Sequence, residues 1–145
     1  MGKFQISRST YRRFLIVALW LIAAHSIGFG LALIVMPGSF IEYFGFTLPE
    51  KFFAVQGGVF HLIISFAYIT AALDPEGSRK MVFLAVFTKF SATVFLFGYY
   101  LFEKSIPMVL MSGILDFLMG LTILILYLGF SGKTGVTREG PDIPL

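Results

Sequence analysis

Four ionisable residues in this sequence, His25, His61, Lys89 and Asp116, stand where their neighbours offer no water. Lys89 is the sharpest case: it lies in MVFLAVFTKFSATVFLFGYYLF, residues 81–102, which holds no other charge. A lysine at the centre of a membrane helix costs about 2.5–3.5 kcal/mol on insertion scales, so it calls for a partner or a task. Lysine, histidine and aspartate together can pair charge, donate and accept hydrogen bonds, and move a proton. A histidine or Asp116 taking a proton while Lys89 stabilises developing negative charge would serve an isomerisation or a quinone reduction. The same groups can hold the polar head of a lipid-like molecule. As a third reading, Lys89 and Asp116 form a buried ion pair that only fixes helix register.

The elements that must position these groups are membrane helices. Apolar residues make up 57% of the 145 positions and charged residues 13%, and mean hydropathy is +0.88. Soluble domains average about 45–50% apolar and 25% charged, so the composition is that of an integral membrane protein. At about 20 apolar residues per crossing, the chain has room for one domain of four or five spans. Apolar runs predict four, at about 14–36, 52–73, 81–102 and 107–130, and hence an all-α, antiparallel four-helix bundle. Residues 1–13 read as a basic N-terminus and 131–145 as a disordered tail with too little apolar content to pack.

Local signals mark the ends. Pro37 and Gly38 stop the first span, which is too long and uninterrupted for a cleaved signal peptide. In PGSFIEYFGF, Ser39 with Glu42 three residues on reads as a capping box and Gly45 as a stop, predicting a short interfacial helix between spans one and two. Thr47 with Glu50 repeats the pattern, with Pro49 in the first turn of the second span.

Charge sets orientation. Lys3, Arg8, Arg12, Arg13, Arg79, Lys80, Lys133 and Arg138 fall on one side, and only Lys51 and Lys104 on the other. By the positive-inside rule both termini are expected in the cytoplasm. The net charge of +3 then reflects topology and gives no support to nucleic-acid binding. There is no cysteine, which removes disulfides, thiolate metal sites and thiol redox chemistry, and no asparagine to accept a glycan.

At 1.5 Å per residue, Lys89 and Asp116 come to about 12–14 Å from the ends of their spans and the two histidines to about 16 Å. All four therefore share the midplane. Small residues one turn away, Gly57 and Ser65 for His61, Ala85 and Thr93 for Lys89, Ser112 and Gly120 for Asp116, mark faces where helices approach closely. For His25 the run Ala24, Gly28, Ala32 plays this part. The expected polar centre is His25, Gln56, His61, Lys89 and Asp116, with Gln56 extending the His61 face or capping a helix contact. Pro37, Gly45, Gly57, Gly58 and Gly120 are expected to be structural, and Tyr68 and Tyr127 interfacial anchors.

Three functional classes fit: a binding or accessory protein for an isoprenoid, sterol-like or quinone ligand, a membrane enzyme acting on one, and a haem b protein. Two histidines at one depth, flanked by Gly28, Gly57 and Gly58, could clamp a haem. The residues predict no metal site. Expected partners are the bilayer and a lipid-like ligand or membrane subunit, and binding fits the pattern better than catalysis.

A proline closing the first helix, an F…FG segment, GGVFHLIISFAYITAALDPEGSRK, a lysine in FTKFSA and an aspartate in GILDFLMG resemble the small four-span bacterial proteins grouped as DoxX-like or BphX-like. The matching positions are Pro37, Gly45, Gly58, Tyr68, Lys89 and Asp116, within about residues 25–128. The resemblance implies a bacterial inner-membrane bundle, with some relatives tied to quinone-linked oxidation or thiol stress. It carries no catalytic residue over, and a cysteine-free chain does not fit the thiol role.

Overall fold

The computed structural model describes residues 7–47 and 50–132. Lys3, Pro49 and residues 133–145, which hold part of the orientation count, the first turn expected after Thr47 and nearly all of the tail, lie outside the described residues. Among the described residues five helices run in the order α1 (Arg8–Val35), α2 (Gly38–Tyr43), α3 (Phe52–Leu73), α4 (Arg79–Phe102) and α5 (Pro107–Ser131). The fold is all-α, and α1, α3, α4 and α5 are each long and apolar enough to cross a bilayer, as in a multi-pass membrane protein.

The start of α1 differs from expectation. Its 28 residues measure about 42 Å, more than a hydrocarbon core of about 30 Å, and its first turns hold Arg8, Arg12 and Arg13. With no proline or glycine between residues 8 and 14, the helix runs back to Ser7, whose Oγ accepts from the Thr10 amide at 3.2 Å. Neither internal capping box forms. Pro37 takes the N-cap position of α2 in an extended conformation, so Ser39 falls inside the helix and makes no cap. The N-cap position of α3 is Lys51, and Thr47 Oγ1 instead contacts Lys104 Nζ at 3.3 Å. Gly45 does end the α2 segment, at φ +91°, where a side chain would be strained.

The helices form two close pairs, α1 with α3 and α4 with α5, and the pairs meet along α1–α5 and, more loosely, α3–α4. Glycines set the closeness within each pair. A Cβ on Gly58 would lie 2.6 Å from the Gly30 carbonyl oxygen, and one on Gly113 2.7 Å from the Phe97 ring. Small residues let backbones approach where lipid offers no hydrophobic drive. On α1 the packed face is Ala23, Ser26 and Gly30, not the Ala24, Gly28, Ala32 run, and Gly28 has open space around it. Gly57 likewise would admit a methyl group, meeting only Leu33 at 3.7 Å.

One end of the bundle, the basal end, holds Arg8, the 74–78 turn and Ser131. Its interior is filled by Leu15, Leu19, Tyr68, Val82, Ile123 and Phe130. Arg12 Nε reaches Glu76 at 3.4 Å, and Arg8 lies over the Phe130 ring at 4.9 Å. At the opposite end Lys104 Nζ also donates to the Gly45 carbonyl at 3.2 Å, tying the α4–α5 turn to the segment after α2.

Candidate functional site

Lys89 and Asp116 meet. Gly120, one turn from Asp116, lets α5 close on α4, since a Cβ there would sit 3.1 Å from Lys89 Cβ. Lys89 Nζ donates to Asp116 Oδ1 at 2.5 Å, with the two side chains 4% and 14% exposed. The ammonium also faces the Tyr68 ring, 5.7 Å from its centroid. Tyr68 is therefore not an interfacial anchor: it follows His61 by two full turns, which returns it to the inward face, and it is buried. Thr93 Oγ1 donates to the Lys89 carbonyl at 2.8 Å and comes within 3.5 Å of the Gly113 carbonyl. Tyr127, one turn from the end of α5, is half-buried against the basal core, 6.4 Å from the Phe130 ring.

Above this pair, toward α2, the two helix pairs part around a cavity of about 790 Å³. Leu33, Phe53, Leu96 and Val109 are among its apolar walls, and Ile41 of α2 and Phe46 contribute from the top. Phe53 of α3 and Phe95 of α4, both on its wall, are 63% and 67% exposed, so the cavity reaches the outer surface. His25, His61, Ser112 and Asp116 supply its polar side chains toward the midplane. A volume in the range of about 300–1,000 Å³, apolar walls and a few convergent polar groups are the ordinary properties of a small-molecule site.

Lys89 does not line this cavity. It lies behind Asp116, so the charge presented to the cavity is the carboxylate and not the ammonium. Among the described residues Asp116 Oδ2 has no hydrogen-bond partner, which leaves it as the free acceptor. His61 is held by a residue that sequence reasoning passed over. Ser26 Oγ donates to the His61 carbonyl at 3.0 Å and lies 3.2 Å from His61 Nδ1. Both contacts are satisfied together when Oγ donates to the carbonyl and accepts from Nδ1–H, the tautomer that leaves a lone pair on Nε2. Ser26 was visible as a small residue four before Gly30, the same spacing as the run that was preferred.

His25 lies at the cavity edge and is exposed, with its ring stacked on Phe29 at 6.2 Å. Phe29 also meets the His61 ring edge-on at 5.0 Å, so a phenyl group packs against both histidines. Gln56 is exposed and does not line the cavity; five residues from His61 on the helix, it turns away toward the lipid side. Among the described residues no group of three or more histidine or acidic side chains is placed to hold a metal ion.

No family model matches the chain, and no curated protein or solved structure matches it either.

Proposed function

We propose that this is a bacterial inner-membrane protein with both termini in the cytoplasm, which binds a lipid-like ligand in the cavity between its helix pairs. The ligand classes that fit are isoprenoid, sterol-like and quinone molecules, with the apolar body against the phenylalanine and leucine walls and the polar head toward His61 and Asp116. The observation that carries this reading is the cavity of about 790 Å³, which brings apolar walls and three of the ionisable groups into one space. An ion pair that served only to fix helix register would need no such space beside it. The placement of lysines and arginines supports the orientation, and the DoxX-like residue pattern supports the bacterial assignment.

A second reading, an enzyme acting on the same ligand, draws on His61. With Nδ1 protonated toward Ser26, the tautomer that satisfies both Ser26 contacts, His61 presents Nε2 as a base, the arrangement proton transfer requires.

Native mass spectrometry of the gently purified protein, with an absorption spectrum of the same sample, tests the proposal. A co-purifying mass of lipid type that leaves when the cavity is filled by Ala92→Leu is the expected result. A Soret band would replace it with the haem reading. Neither signal would leave only a packing role for the pair.

A further inference from the structure

We infer that the cavity selects a neutral amphiphile whose head carries a hydroxyl hydrogen-bond donor, over one whose head only accepts hydrogen bonds or is anionic. The inference rests on the ligand-binding reading above and names the head group that reading leaves open.

The argument is one of polarity. Two groups at the polar end of the cavity are held by neighbours: Asp116 by Lys89, which makes it an acceptor, and His61 by Ser26. Asp116 Oδ1 accepts from the Lys89 ammonium, and among the described residues Oδ2 has no hydrogen-bond partner. In the tautomer that satisfies both Ser26 contacts, the His61 ring proton lies on Nδ1 and the lone pair on Nε2. Ser112, Tyr99 and His25 can each donate or accept, so they accommodate a head group without choosing it. The group that would choose an anion or a bare carbonyl is Lys89, and it is 3% exposed and turned to Asp116 and Tyr68. A phosphate or carboxylate head would meet the carboxylate first, in a low-dielectric site where like charges repel strongly. An ether or ketone head would leave Asp116 Oδ2 and His61 Nε2 both unsatisfied on losing water. A hydroxyl satisfies one directly and needs no countercharge.

Three probes that share one chain separate these cases: farnesol, its methyl ether and farnesyl monophosphate, titrated against the full chain in detergent and read by native mass spectrometry. Farnesol is expected to bind about tenfold more tightly than the ether, with the phosphate weaker still. Equal binding of all three would overturn the head-group inference and leave lipid binding standing. Tightest binding by the phosphate would also overturn it, since Lys89 would then have to reach the cavity. No binding by any probe would sink both proposals. Asp116→Asn alone orphans Lys89 and risks misfolding, so the paired variant Lys89→Met/Asp116→Leu is the informative one. It should narrow the gap between farnesol and the ether, with His61 left as an acceptor, and an undiminished preference for the alcohol would remove Asp116 from the inference.

Discussion

The two halves of the bundle are made from the same helices and solve opposite problems. At the basal end, long side chains meet across the centre: Leu15 and Leu19 from α1, Tyr68 from α3, Val82 from α4, Ile123 and Phe130 from α5. At the α2 end the inward positions include Ala54, Ala92 and Ser112, which cannot span the same distance. The glycine contacts widen the difference. Gly30 against Gly58 draws α3 onto α1, and Gly113 against Phe97 draws α5 onto α4. Within each pair the helices are close, and between the pairs at this end the inward residues leave a cavity. The Lys89–Asp116 pair stands at the border, bonded below the cavity and bordering it through Asp116 alone.

The largest effect should come from that border. Lys89→Met or Asp116→Asn alone is expected to cost about 3–5 kcal/mol in a denaturation titration of the purified protein, because each leaves a buried polar partner uncompensated. Replacing both, with Met and Leu, should recover most of the loss. Additive losses would show that the two residues act separately.

Next, Leu19→Ala in the filled half should cost about 2–5 kcal/mol by creating a cavity. Leu33→Ala, which only enlarges a cavity already present, should cost under about 1 kcal/mol. Equal losses would mean the α2 half is as well packed as the basal half.

Adding volume reverses the comparison. Ala85→Leu is expected to lose about 1–3 kcal/mol through overpacking, since Ala85 is wholly buried. Ala92→Leu should be close to neutral in stability and should displace whatever occupies the cavity. The smallest effect belongs to Gly28→Ala, where the added methyl meets nothing; a change beyond about 0.5 kcal/mol in the same titration would put the packed face of α1 elsewhere.

Much of the framework was legible beforehand because it depends on local composition. The apolar runs predict a second span at 52–73, and the helix is Phe52–Leu73; they predict a fourth at 107–130, and the helix is Pro107–Ser131. Proline, glycine and polar turns bound these helices, and such signals act within a few residues. The meeting of Lys89 and Asp116 was legible for a different reason. Opposite charges at one depth on adjacent antiparallel helices, each beside small residues, have few other ways to be satisfied.

Faces within a helix were harder to choose. α1 carries small residues at 24, 28 and 32 and again at 26 and 30, both at the four-residue spacing of a helix contact. Only the partner decides between them, and the partner is Gly58, whose backbone meets Gly30 and so turns Ser26 toward His61. His25, one residue away, is carried about 100° around to the cavity edge. Tyr68 was misread for a related reason, since tyrosine serves both as a membrane-interface anchor and as a buried ring with a polar tip.

The sequence by itself determined that the chain crosses a membrane as four helices and that an opposite-charge pair lies at mid-depth, because hydropathy, length and charge act along each helix separately. The tertiary structure alone decided that a cavity exists, that Asp116 borders it while Lys89 stands behind, and that Ser26 fixes His61. Those facts depend on contacts between helices: Gly30 and Gly58, 28 positions apart in the chain, bring α1 and α3 together and so place Ser26 against His61.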